Sequence, residues 1–312
     1  MKMKENLTFR MGDNVLDRAR GALLGLAVGD ALGATLEFKT RDSYLPLTDM
    51  LGGGPFNLAP GEWTDDTSMA LALADSLLGF RGLNPQDLAE RFCRWRFEGR
   101  YSHNGRCFDV GNTVSQALGE FRRTGSPISG SCDARSAGNG SLMRLAPVAL
   151  FWAHDPETCM EMARLQSRVT HGAEEAVEAC AAFALLLSKA IRGDGKDTVL
   201  SPHVGPWPEK VASALRMEPI AWPRSLVRGS GYVIHSLEAA IWSVGNSNDF
   251  REAVLLAANL GEDADTTAAI TGQLAGAIWG ESGIPDEWLR KLAWRDQITD
   301  FADKLNLHEG QI

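Results

Sequence analysis

Glycine recurs at every fourth residue in two distant parts of this 312-residue chain: at Gly21, Gly25, Gly29 and Gly33, and again at Gly272, Gly276 and Gly280. Residues four apart on an α-helix share a face, so each run draws a stripe without side chains. A helix loses about 1 kcal/mol wherever glycine stands in place of alanine. A stripe of such losses is tolerated where it lets another backbone come close. Two helices are therefore expected, each packed tightly along its stripe and both brought near one shared site. Stripes facing bulk solvent would refute this.

The remaining pattern is also helical. Residues 18–34 and 67–78 are rich in good helix formers, with Met69, Leu73 and Leu77 on one face of the second. Residues 173–191 carry Val177, Cys180, Ala184 and Leu187 at helical spacing, and 254–260 with 264–279 read as another pair. Alternating strand-like runs are scarce. Residues 51–61 and the proline-rich 201–223 read as long loops, the latter with at most a short helix at 209–216. No charge block or Gly/Ser linker marks a boundary, so a single all-α domain is expected over 1–312.

Charge and cysteine content narrow the function. The net charge is −9 and no Lys/Arg-rich run is present, which argues against a nucleic-acid partner. The five cysteines form no C-x-x-C pair, so a disulfide framework or zinc knuckle is not expected and a reducing cytoplasm fits. The N-terminus is polar with no apolar stretch behind it that would read as a secretory signal. No membrane span is expected, because the best candidate, residues 21–36, is interrupted by Asp30.

Two acidic segments stand out. Trp63-Thr64-Asp65-Asp66-Thr67 precedes one expected helix, and Glu262-Asp263-Ala264-Asp265-Thr266-Thr267 precedes another. Either alone has an ordinary explanation, since Asp and Thr cap helix N-termini and suit the positive end of the dipole. Together they offer an all-oxygen donor set, the hard chemistry of Mg²⁺, Mn²⁺ or Ca²⁺, and four carboxylates nearly balance two divalent ions. The segment from Gly138 through Asn139, Gly140 and Ser141 to Arg144 is a glycine-rich turn whose N–H groups suit a phosphate, or a plain turn and cap. Asp109-Val110-Gly111-Asn112-Thr113 is equally two-sided. His171, just before a long apolar helix, reads first as a hydrogen-bonding residue at a helix start.

As an ordered set these motifs resemble one family. The run Gly25 to Glu37 (GLAVGDALGATLE), then Thr64-Asp65-Asp66, Asp109 to Thr113, Gly138 to Gly140 with Met143-Arg144, Thr170-His171, and Asp263 to Thr266 appear in the order of the ADP-ribosylglycohydrolases. The likeness is to the branch containing the dinitrogenase reductase-activating glycohydrolase, and the motifs span about residues 18–280. The resemblance implies a compact orthogonal helical bundle with a central cleft for two divalent cations, Mg²⁺ or Mn²⁺. It implies Thr64, Asp65, Asp66, Asp263, Asp265 and Thr266 as metal ligands, and Glu37 or Asp109 as the catalytic carboxylate. Gly111, Asn112, Gly138, Asn139, Gly140, Ser141 and His171 are implied to hold the diphosphate and its ribose, and Tyr232 to lie near adenine. One departure is visible: the family often has a double glycine before Asp-x-Asp, where this chain has Gly261-Glu262. The extra carboxylate either makes an outer contact or points to solvent.

The implied reaction is metal-dependent cleavage of the N-glycosidic bond between ADP-ribose and a modified protein side chain, arginine first, by a monomeric enzyme. Serine-linked or free ADP-ribosyl substrates remain open alternatives. So does a nucleotide phosphohydrolase, which would release AMP or phosphate rather than ADP-ribose. A non-catalytic ADP-ribose-binding protein would have lost the paired aspartates, and here all are present.

Overall fold

The two glycine stripes meet. The computed structural model describes residues 2–308, with side chains from 14 to 307; residue 1 and residues 309–312, at the ends of the expected domain, lie outside the described residues. Among the described residues there are fourteen α-helices and no strand, only isolated β-bridges. The helices are α1 (Lys2–Gly33), α2 (Asp65–Phe80), α3 (Pro85–Glu98), α4 (Asn112–Thr124), α5 (Ala146–Phe151), α6 (Pro156–Arg168), α7 (Glu174–Arg192), α8 (Lys196–Val199), α9 (Glu209–Leu215), α10 (Val233–Gly245), α11 (Phe250–Ala258), α12 (Ala264–Trp279), α13 (Asp286–Lys291) and α14 (Arg295–His308).

Helices α1 and α12 pack backbone to backbone. A Cβ added to Gly21 would lie 2.2 Å from the Gly276 carbonyl oxygen, and one on Gly25 2.2 Å from that of Gly272. Gly29 and Gly33 face the carbonyls of Ala268 and Ala264 in the same way, at 2.1 and 2.3 Å. Each step of four down α1 is a step of four back along α12, so the helices run antiparallel. Gly280 departs from the expected stripe. It ends α12 at φ 78°, where a Cβ would strike the Asp17 carboxylate that accepts from Ser282.

Helix α1 is buried on every side along its apolar length, as a helix without a polar face must be. Residues Asn14–Leu36 are, by length and composition, long and apolar enough to cross a membrane, contrary to the sequence reading, because one aspartate does not undo the average. That surface is already occupied: 89% of the apolar window is buried inside the protein. Nearly all the buried apolar side chains form one cluster from Ala19 to Leu305. Within the two expected loops, the first is pinched by a Gly53–Leu58 bridge, and the second holds α9 and a short 3₁₀ turn at Pro219–Ala221.

Candidate active site

The acidic segments start α2 and α12, where Asp265 accepts from the Thr266 N–H at 2.7 Å. Neither N-cap residue, Thr64 or Asp263, makes a side-chain capping bond. The caps come from elsewhere in the chain. Asp30, in α1, accepts from the Thr64 and Thr67 N–H groups at 2.8 and 3.0 Å and from both hydroxyls at 2.9 and 2.6 Å. Glu37, just past α1, accepts at Oε2 from the Ala264 N–H at 2.8 Å and the Asp265 N–H at 3.4 Å. Two backbone bonds of 2.7 Å fix Glu37 there, from Phe38 N–H to Glu262 O and from Glu262 N–H to Lys39 O. Phe38 and Glu262 both take positive φ, 60° and 63°, which accounts for a glycine suiting position 262. The Glu262 side chain is exposed, so the extra carboxylate points to solvent.

With the helix ends capped from α1, the carboxylates of both segments are left to converge. Oxygens of Asp30, Asp66 and Asp265 lie within 4.8 Å of one another, as do those of Glu37, Asp263 and Asp265. Asp265 belongs to both groups. The Thr64 hydroxyl lies 3.2 Å from Asp66 Oδ2 and 3.3 Å from Asp265 Oδ2. Asp30 and Asp66 are fully buried, and Asp66 Oδ1 has no hydrogen-bond partner. No lysine or arginine pairs with any of them among the ion pairs of the described residues.

Like charges in a dry site disfavour ionisation. Burial, then the neighbouring Asp265, pushes Asp30 and Asp263 up to about 7, Asp109 up to about 9 and Glu37 up to about 12. Burial, with Asp109 beside Asp65 and Asp30 beside Asp66, holds those two well above the usual carboxylate range. An arrangement this short of positive charge, built only from oxygen donors with one orphaned, fits hard divalent cations.

These groups open onto a cavity of 480 Å³. Its acidic side holds Glu37, Asp65, Asp109, Asp263, Asp265 and Thr266; the rest of the lining includes Gly111, Asn112, Gly138, Asn139, Gly140 and His171. Asn139 also orients the acidic side, donating through Nδ2 to Asp263 Oδ2 at 2.6 Å and to Ser236 Oγ at 2.9 Å. His171 is buried and neutral, since burial and the Arg144 charge hold its imidazole down to about 3.

Four expected residues do not line the cavity. Thr64 and Asp66 are buried behind the acidic side. Ser141 is buried too: its Oγ sits 2.8 Å from that of Ser167, which donates to the His171 carbonyl at 2.9 Å. The Tyr232 hydroxyl donates to Glu175 and accepts from Lys210, so only its neighbour Gly231 reaches the cavity. Asp30 was missed as a site residue. Its signals are a lone charge inside a run of Ala, Leu and Gly and its place in the motif from Gly25 to Glu37. Phe38, exposed at the cavity's rim, carried no signal at all.

Likeness to known proteins places the chain among the glycosidic hydrolases of α-helical build. The chain belongs to the ADP-ribosylglycohydrolase family, whose model matches residues 11–311. It is 48% identical to ADP-ribosylarginine hydrolase Tri1 of Pseudomonas putida over 94% of this chain and 79% of that one. The protein of the same name from Serratia proteamaculans is 46% identical, over 93% and 79%. Likeness to the ADP-ribosyl-[dinitrogen reductase] glycohydrolase of Rhodospirillum rubrum is lower, 34% over 90% and 92%, so the branch suggested by the motifs is the more distant one. A solved structure titled ADP-ribosylglycohydrolase-related protein complex superposes with a TM-score of 0.85 at 41% identity, over 95% of this chain and 99% of that one.

Proposed function

We propose that this protein is an ADP-ribosylarginine hydrolase. It cleaves the N-glycosidic bond between ADP-ribose and an arginine guanidinium of a modified protein, with two divalent cations, Mg²⁺ or Mn²⁺. The observation that carries this reading is Asp265, the common member of two carboxylate groups on one side of a cavity whose other lining is uncharged. Asp30, Asp66 and Asp265 with Thr64 would hold one cation, and Glu37, Asp263 and Asp265 with Thr266 the other, with Asp65 beside them. When bound, the cations supply the charge that offsets these carboxylates and orients the hydroxyls of the reacting ribose.

The protein's own groups do the rest. The glycine turn and His171 receive the diphosphate with neutral donors. Glu37 is committed to the α12 terminus, which leaves Asp109 to take a proton from the attacking water. The carboxylates facing the sugar suit the positive charge that develops as the bond breaks. They equally suit a cationic guanidinium, which favours arginine over serine as the acceptor. We place the reaction in the cytoplasm, on a monomer, with no nucleic-acid partner.

The reading is tested with ADP-ribosyl-arginine and ADP-ribosyl-serine peptides, each with and without chelator. Free ADP-ribose from the arginine peptide, lost on chelation, is the expected result. Release of AMP or phosphate, or full turnover in chelator, would overturn it. Asp109→Asn is expected to bind Mn²⁺ as the wild type does while kcat falls roughly 10²–10⁴-fold, the usual contribution of a positioned base. Titration calorimetry and steady-state kinetics separate the two effects.

A further inference from the structure

Arg144 is fully buried, and among the ion pairs of the described residues it has no carboxylate partner. Its guanidinium lies 4.4 Å over the Phe92 ring, and its Nε donates to Gln166 Oε1 at 3.0 Å. Its Nη2 donates to the Gln166 carbonyl at 3.2 Å and to Thr170 Oγ1 at 2.9 Å. Thr170 is fully buried as well, and its Oγ1 lies 2.9 Å from His171 Nδ1.

The chemistry of the donors fixes the direction of this chain of bonds. A guanidinium only donates, so Thr170 Oγ1 accepts from Arg144. The hydroxyl has one proton to place, and His171 Nδ1 is the acceptor within reach. Were Nδ1 protonated instead, two donors would point at one oxygen, and a buried hydroxyl proton would have no acceptor among the described residues. Nδ1 therefore accepts, and Nε2 carries the ring's hydrogen. No protein group bonds to Nε2 among the described residues. It faces the gap beside Gly138 and Gly140, where a Cβ on either would come within 3.4 and 3.2 Å of it. Neither glycine has positive φ, so what they supply at this wall is room for the ring.

We infer that Arg144 and Thr170 are positioning residues that lock His171 in its Nε2–H tautomer, so that the ring offers a fixed, uncharged donor to an acceptor oxygen of bound ADP-ribose. The ligand in this inference rests on the proposed reading of the cavity; the tautomer does not. The depressed imidazole pKa agrees with a ring that stays neutral. A neutral ring presents its hydrogen to the ligand without drawing in the carboxylates across the cavity.

The test is long-range ¹H–¹⁵N correlation on the full-length protein, with the His171 signals assigned by their loss in His171→Gln. The wild type is expected to show Nδ1 bare and Nε2 protonated. Thr170→Val keeps the shape and removes the hydroxyl. It is expected to move the proton toward Nδ1 and to weaken ADP-ribose binding about tenfold, as loss of one aligned hydrogen bond does, in calorimetry with Mg²⁺ present. Thr170→Ser is expected to restore both readouts, which a purely steric role for Thr170 would not. An unchanged tautomer in Thr170→Val overturns the relay, and a shifted tautomer with unchanged affinity overturns the donor role. A wild type that fails to bind ADP-ribose while its tautomer still answers to Thr170→Val supports the relay and removes the reading of the cavity instead.

Discussion

Asp265→Asn is expected to silence the enzyme while leaving it folded. Asp265 is the one residue shared by both carboxylate groups, so its loss weakens both proposed cation sites together. Metal-dependent catalysis draws several kcal/mol of transition-state stabilisation from its ions, and losing about 4 kcal/mol lowers the rate roughly 10³-fold. Without metal the substitution removes one of several crowded buried acids, so the chelated variant is expected to melt no lower than the chelated wild type. With Mn²⁺ at about 100 times its Kd the wild type should gain about 2.7 kcal/mol by mass action, and the variant should gain little. Scanning calorimetry with and without Mn²⁺, beside an assay of ADP-ribose release, reads both effects. A variant that Mn²⁺ still stabilises as it does the wild type would dissolve the two-cation reading.

Gly276→Ala is expected to destabilise the protein by more than about 3 kcal/mol, at the upper end of what overpacking costs. The new Cβ would lie 1.8 Å from the Gly21 carbonyl oxygen and 2.4 Å from its carbon. Both are backbone atoms, so no side chain can swing aside, and α1 must move as a whole. The helix-propensity gain of about 1 kcal/mol from replacing glycine offsets only part of this. The same change at Gly119 in α4, where an added Cβ meets nothing within 4 Å, is expected to stabilise by up to about 1 kcal/mol. Urea unfolding of the two variants should therefore move in opposite directions. A Gly276→Ala protein as stable as the wild type would mean that the α1–α12 contact is looser than described.

The helices were legible because their signals are local. The stripes announced two tightly packed elements, and 264–279 was read to the residue as α12. The capping rule misled for a physical reason. It looks at neighbours in sequence, and Thr64-Asp65-Asp66 looks like a self-capped helix start. The true cap, Asp30, acts across 34 residues, and Glu37 acts across 227. Nothing within one turn of Asp30 marks it, so a charge in an apolar helix read as an interruption of a membrane-like run. Tyr232 rests on motif order alone, and Ser141 on its place in a glycine-rich turn. Order along the chain says which segments meet at a site, and leaves open which side chains in them turn toward it.

The two long-range caps also set a timetable for synthesis. Glu37 leaves the ribosome well before Ala264, the residue whose N–H it must bind, and at about 5–20 residues per second the 227 intervening positions take roughly 11–45 s. Until then the nascent α1 has α2, α5, α7 and α11 to pack against, but its glycine groove stays bare. Translation of α12 is thus the step that fills this groove and brings the second acidic segment beside the first, so the carboxylate cluster assembles only near the end of elongation.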